Sequence, residues 1–187
     1  MTSESRRQPI RTQLTILTAI LLIIWVLEIV DFLLGNPLDL YGIAPRSQIG
    51  LRGILFAPWL HFGFEHLAAN TIPLLALAWL AMLRGLRTFF QVTLLVVLIG
   101  GLGTWLIGES GSIHLGASIL IFGYFAFLLF GGVFERSIQS IALMLIVVIL
   151  YGSLIWGILP VRMGNISWEG HLSGFVAGLV AARLLRQ

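Results

Sequence analysis

The chain has 187 residues, 58% of them hydrophobic and only 10% charged, with a mean hydropathy of +1.01 and a net charge of +3. A soluble domain carries about 25% charged residues, so this composition cannot cover a water-facing surface and points to a polytopic membrane protein. The 11 basic residues are all Arg and lie between apolar runs, which excludes a nucleic-acid-binding patch despite a pI of about 10.2; without Lys or Cys there is no Schiff base, Ser-Lys dyad, disulfide, thiolate nucleophile or Cys-ligated metal.

Residues 1–13 read as a short polar tail, and residues 14–187 as one membrane domain that no linker divides. A membrane-crossing helix needs about 20 mostly apolar residues, and six segments qualify: 14–34, 66–83, 88–108, 113–131, 138–159 and 167–186. The first follows Arg6, Arg7 and Arg11 as a signal peptide would, but it runs long and lacks a small-residue cleavage site, so it reads as an uncleaved anchor. With the N-terminus inside, Arg6, Arg7, Arg11, Arg84, Arg87, Arg136, Arg183 and Arg186 lie on the inner side, against Arg46, Arg52 and Arg162 outside. This positive-inside bias predicts that both termini are cytoplasmic. The long connection 35–65 is too apolar for a free loop: Leu51, Ile54, Leu55, Phe56, Trp59, Leu60, Phe62 and Phe64 crowd its second half. It either lies in the outer leaflet, where Trp and Phe favour the interface, or caps the bundle.

Three polar clusters interrupt the apolar runs near the starts of spans two, four and six. They are His66 with Asn70, Gly116-Ala117-Ser118, and His171 ahead of Gly174 and Gly178. In the predicted topology all three lie on the outer side, within about 10 Å of the boundary at about 1.5 Å per residue. Polar groups at that depth are costly and usually functional.

His66 and Asn70, spaced i, i+4, share a helix face and either donate to a developing oxyanion or act as polar glue between helices. Ser118 alone is ordinary, since a serine in a membrane helix usually bonds a backbone carbonyl or permits close packing. His171, Gly174 and Gly178 fall on one face beside a Gly170/Gly174/Gly178 ridge. Such a ridge admits a close neighbour, and the histidine is then either within its reach or incidental to a tight helix pair. Taken together the residues suit nucleophilic catalysis. Ser118 would attack, His171 would take its proton and pass it to the leaving amine, and His66, Asn70 and the Ser118 N–H would hold the oxyanion. No third acidic member is evident: Glu169 points to another face than His171, and Glu28 and Asp31 cap or anchor span one. His114, four residues before Ser118, either lines a water path or gate or is simply interfacial. His61 lies either at the mouth of the site or in the interfacial loop. A zinc site of His61, His66, His171 and Glu65 lacks the H-E-x-x-H spacing, and a transporter would require paired broken helices with internal symmetry. No metal or cofactor is expected.

The stretch His61-Phe62-Gly63-Phe64-Glu65-His66-Leu67-Ala68-Ala69-Asn70 resembles the second-span motif of the rhomboid family. Gly116-Ala117-Ser118 is similar to the start of that family's G-x-S-G signature on span four, and Trp168-Glu169-Gly170-His171-Leu172-Ser173-Gly174 to its span-six histidine motif, with Gly178 following. The resemblance runs from about Arg52 to Arg186 in the family's six-span order. It implies an all-α bundle of six transmembrane helices that performs intramembrane serine proteolysis; the chain's compactness and lack of cysteine point to the cell inner (plasma) membrane. By resemblance Ser118 is the nucleophile, His171 the base, His66 and Asn70 the oxyanion donors, and Gly116, Gly174 and Gly178 support the packing. It further implies single-span membrane proteins as substrates, cut near a boundary of the lipid bilayer, a first loop embedded in the outer leaflet, and a gate at spans two and five or at that loop. Catalytically silent relatives that bind membrane helices usually lack the serine or the histidine, and this chain keeps both. One departure stands beside the site: the signature's final glycine, which helps spans four and six approach, is Ile119 here. An isoleucine either widens that contact or faces elsewhere, since Ser118 and Ile119 differ by about 100° around a helix.

Overall fold

In a bilayer no water is at hand for backbone N–H and C=O groups, so each apolar run closes its own hydrogen-bond ladder as a helix. The computed structural model describes residues 10–160 and 167–186. Among them are six long helical stretches: α1 (Ile10–Leu34), α2 (Gly63–Met82), α3 (Leu86–Ile107), α4 (Ser118–Glu135), α5 (Ile138–Ile158) and α6 (Trp168–Leu184). The first five are long and apolar enough to cross a membrane. The sixth has 17 residues and packs along α4. The described residues hold no strand, only one isolated antiparallel bridge between Ile43 and His114. The protein is a helical, multi-pass membrane bundle, in keeping with its hydropathy.

Polar side chains pin α1 to α2 at two levels. The Trp25 indole N–H donates to Thr71 Oγ1 (3.2 Å), and the Trp79 indole N–H donates to Gln13 Oε1 (3.1 Å). Asp31 is the cap expected of it: it accepts the Leu38 N–H at 2.6 Å, and its carbonyl accepts the Asn36 N–H at 2.8 Å as the chain turns out of α1.

The first loop folds upon itself. A β-carbon on Gly50 would sit 2.0 Å from the Ala44 carbonyl oxygen, and one on Gly53 2.3 Å from that of Gly42. Only glycine permits these two backbone crossings. The resulting apolar turn, Ile49–Trp59, lies against α3, with Ala57 and Leu60 buried and Leu51, Leu55 and Phe56 facing outward.

The core centres on α4, where Leu120, Ile121, Phe122, Phe125, Phe127 and Leu128 are all buried. Its first turn begins at Ser118, five residues later than the hydropathy predicts. Ile113 and Leu115 are apolar because they pack in a satellite cluster with Ile43, Ala57 and Leu60 of the first loop. The Ile43–His114 bridge and Gly116 at φ +127° keep that stretch out of the helix. At the opposite end of α4, Glu135 forms a buried ion pair with Arg84.

Candidate active site

The approach to α4 presents three consecutive backbone N–H groups. The Gly116 N–H donates to the Ala57 carbonyl (2.9 Å), and the Ala117 N–H donates to His61 Nε2 (3.2 Å). The Ser118 N–H, at the first helical position, has no acceptor among the described residues, as the opening turn of a helix dictates. His61 is therefore not an interfacial residue. It is 1% exposed, and burial together with the neighbouring His66 charge holds its imidazole down to about 3, so it stays neutral.

His66, one turn into α2, accepts the Phe62 N–H at Nδ1 (3.4 Å), which places its hydrogen on Nε2. That nitrogen faces the serine. A β-carbon on Gly116 would lie 3.0 Å from His66 Nε2 and 3.7 Å from Ser118 Oγ. The missing side chain thus leaves a notch shared by the imidazole and the hydroxyl. Asn70 is buried, and one of its amide hydrogens bonds the His66 carbonyl at 3.1 Å, bracing the turn that carries the imidazole.

His171 is held on two sides. Its Nδ1 lies 3.0 Å from the Gly157 carbonyl oxygen. A carbonyl only accepts, so Nδ1 carries the hydrogen and Nε2 keeps its lone pair. The ring stacks on Phe122, with centroids 4.1 Å apart and planes 12° from parallel. Phe122 stands one turn along α4 from Ser118, so the stack sets the imidazole beside the serine's own helix face. The Ser118 hydroxyl makes no hydrogen bond to His171 among the described residues.

The predicted glycine ridge brings α4 and α6 into backbone contact. A β-carbon on Gly174 would meet the Ile119 carbonyl oxygen at 2.3 Å, and one on Gly178 the Gly123 carbonyl oxygen at 2.0 Å. Ile119 does not widen this crossing. Its side chain points instead at α3, where a β-carbon on Gly100 would lie 3.2 Å from Ile119 Cδ1. The bulk missing at Gly100 accommodates the bulk gained at Ile119.

A small cavity of about 20 Å³ borders Ser118 and is lined by His114, Gly116, Ile119, Ser167 and Gly170. That volume suits about one water. Residues beyond those predicted take part in the arrangement: Phe122 and Gly157 hold the His171 ring, and His61 secures the Ala117 N–H. Phe122 was within reach of sequence reasoning, being i+4 from Ser118, whereas Gly157 lies in an unmarked apolar run. The described residues include no group of three or more His, Asp or Glu able to hold one metal ion.

Comparison with known proteins completes the picture. A family model described as Rhomboid domain matches residues 49–187. Uncharacterized proteins of Mycobacterium tuberculosis and Mycobacterium bovis are 49% identical over 178 residues, covering 91% of this chain and 74% of theirs. An uncharacterized protein of Mycobacterium leprae is 46% identical over 178 residues, covering 91% of this chain and 70% of its own.

Proposed function

The chain belongs to the rhomboid family, and on that premise we propose that it is an intramembrane serine endopeptidase acting on single-span membrane proteins through a Ser118–His171 dyad. The observation that carries this reading is the state of His171. Its Nδ1–H is committed to Gly157, its Nε2 keeps its lone pair, and its ring is stacked one turn from Ser118.

In this reading the Ser118 hydroxyl attacks the scissile carbonyl carbon while Nε2 of His171 takes its proton. The carbonyl oxygen, now negative, settles toward the His66 Nε2–H, the Ser118 N–H and the free amide hydrogen of Asn70. Collapse of the tetrahedral intermediate expels the amine, which receives the proton from His171. Water then attacks the acyl-serine, giving its proton to His171, and the ester bond to Ser118 breaks as His171 returns that proton to the serine oxygen, releasing the acid and restoring both groups. Catalytic hydrogen bonds are often unmade before substrate arrives, which accords with the separate Ser118 and His171 groups. We place both termini in the cytoplasm and the cut near the outer leaflet of the plasma membrane, from the arginine distribution. Because the chain has no native cysteine, single cysteines added at either end report this orientation by impermeant labelling of intact cells.

Fluorophosphonate labelling and cleavage of a single-span test protein decide the chemistry. Wild type should label and cleave, and Ser118→Ala should do neither. His171→Ala should retain at most a trace. Labelling that survives Ser118→Ala, or a wild type that neither labels nor cleaves, overturns the proposal. A second reading, a membrane-helix-binding protein without catalysis, draws on the absent Ser118–His171 hydrogen bond, and the inert wild type is its signature.

A further inference from the structure

His114 and Ser167 stand four residues before Ser118 and His171 respectively, and they are bonded to one another. Resting on the proteolytic reading, we propose that His114 is a positioning residue: a neutral imidazole that latches the start of the helix carrying the base to the loop leading into the nucleophile's helix.

The latch is a hydrogen-bond chain in which every hydrogen has one place to go. Ser112 Oγ donates to the Glu109 carbonyl (2.6 Å), so it accepts from His114 Nε2 (2.7 Å). His114 Nε2 therefore carries the hydrogen, and Nδ1 accepts from the Ser167 hydroxyl (2.6 Å). Ser167 Oγ in turn accepts the Gly170 N–H (3.0 Å) as the N-cap of α6, and the Ser167 carbonyl accepts the His171 N–H at 3.1 Å. The His114 backbone is fixed as well, exchanging both hydrogen bonds with Ile43 of the first loop at 2.8 and 2.9 Å. One residue thus joins the first loop, the approach to Ser118 and the cap of the His171 helix, and it borders the cavity beside the serine.

Protonation would undo the latch. An imidazolium donates from both nitrogens, so Nδ1–H would confront the hydroxyl hydrogen of Ser167. His114 is 8% exposed, and burial lowers its pKa, while Glu169 on α6 and Glu109 on the loop pull the other way. Arg46 lies on the first-loop side, where it donates to the Leu106 carbonyl (2.8 Å) and to Ser110 Oγ.

The test is proteolysis in proteoliposomes, with Ser118→Ala as the blank. His114→Ala should lower kcat by on the order of tenfold to a hundredfold with KM little changed, the cost of a misplaced catalytic group. His114→Asn, whose side-chain oxygen can still accept from Ser167, should recover most of it. Ser167→Asp separates positioning from capping. Aspartate caps a helix as well as serine does, but it cannot donate to His114, so only a protonated His114 completes the latch. Its activity should rise as pH falls from about 8 to about 6, whereas the wild-type latch, with His114 held neutral by burial, should show no such rise. Wild-type kcat and pH profile in both His114→Ala and Ser167→Asp overturn the proposal. If wild type itself is inert, the proteolytic reading is what fails. The latch is then judged alone by imidazole ¹⁵N resonances of His114: the neutral Nε2–H tautomer, lost in Ser167→Ala, supports it, and the Nδ1–H tautomer overturns it.

Discussion

The carbonyl oxygen of Ile119 lies where a β-carbon of Gly174 would have to be, 2.3 Å away, while the Ile119 side chain turns toward Gly100. The two sides of one residue therefore answer to different helices. Ile119→Gly should not draw α4 and α6 closer, because their backbones already touch. It should instead open a cavity against Gly100 and cost about 2–4 kcal/mol, read as a lower melting temperature in detergent with the order of kcat preserved. Gly174→Ala should separate the helices and abolish turnover. A gain in both stability and activity for Ile119→Gly would sink this account.

Phe122 holds the imidazole by its face, not by a hydrogen bond. Phe122→Ala frees the His171 ring to swing about its Gly157 contact. We expect kcat to fall on the order of tenfold with KM nearly constant, and Phe122→Tyr to retain most activity. Steady-state kinetics on the three proteins check this, and an unchanged kcat for the alanine variant would count against it.

Arg84 and Glu135 close the end of the bundle far from Ser118, with side chains 5% and 2% exposed. Arg84→Met should cost about 3–5 kcal/mol, because it removes the guanidinium that a buried carboxylate is paired with. The double variant Arg84→Met/Glu135→Leu should regain much of that loss. Thermal denaturation of the three variants measures the coupling, and additive losses would refute it.

Asp39 predicts a pH effect confined to stability. Burial, then the nearby Asp31 charge, pushes its carboxyl up to about 6, and its Oδ1 is buried with no hydrogen-bond partner among the described residues. The folded state holds the proton more tightly than the unfolded chain, so stability falls as pH rises from about 4 to about 6 and stays lower above that. Asp39→Asn should melt higher than wild type at neutral pH, with the difference vanishing near pH 4 or so. A difference that does not vary with pH would contradict the assignment.

How far the sequence could be read depended on the range of each interaction. His66 with Asn70, and His171 with Gly174 and Gly178, were legible as shared helix faces because periodicity alone sets them, whereas Ser118 stood out only by its depth and by the family resemblance. The direction of Ile119 was not, because it is decided by a vacancy at Gly100 on another helix. Nor could hydropathy find the true start of α4: it counts Ile113 and Leu115 as span, although they pack against Ile43 and Ala57 of the first loop. His61 and His114 stood out as histidines, yet their partners, Ala117 and Ser167, are brought to them only by tertiary folding.

The Gly157 carbonyl that fixes the His171 tautomer belongs to the last residues of α5, a helix with little of its surface inside the bundle. Most of what surrounds α5 is therefore hydrocarbon. Thickness mismatch tilts or shifts such a helix at modest cost, and here any displacement carries the hydrogen-bond acceptor of His171 with it. In the proposed mechanism the bilayer becomes a mechanical input to the acid–base chemistry: acyl-chain length is an external handle on where one proton sits.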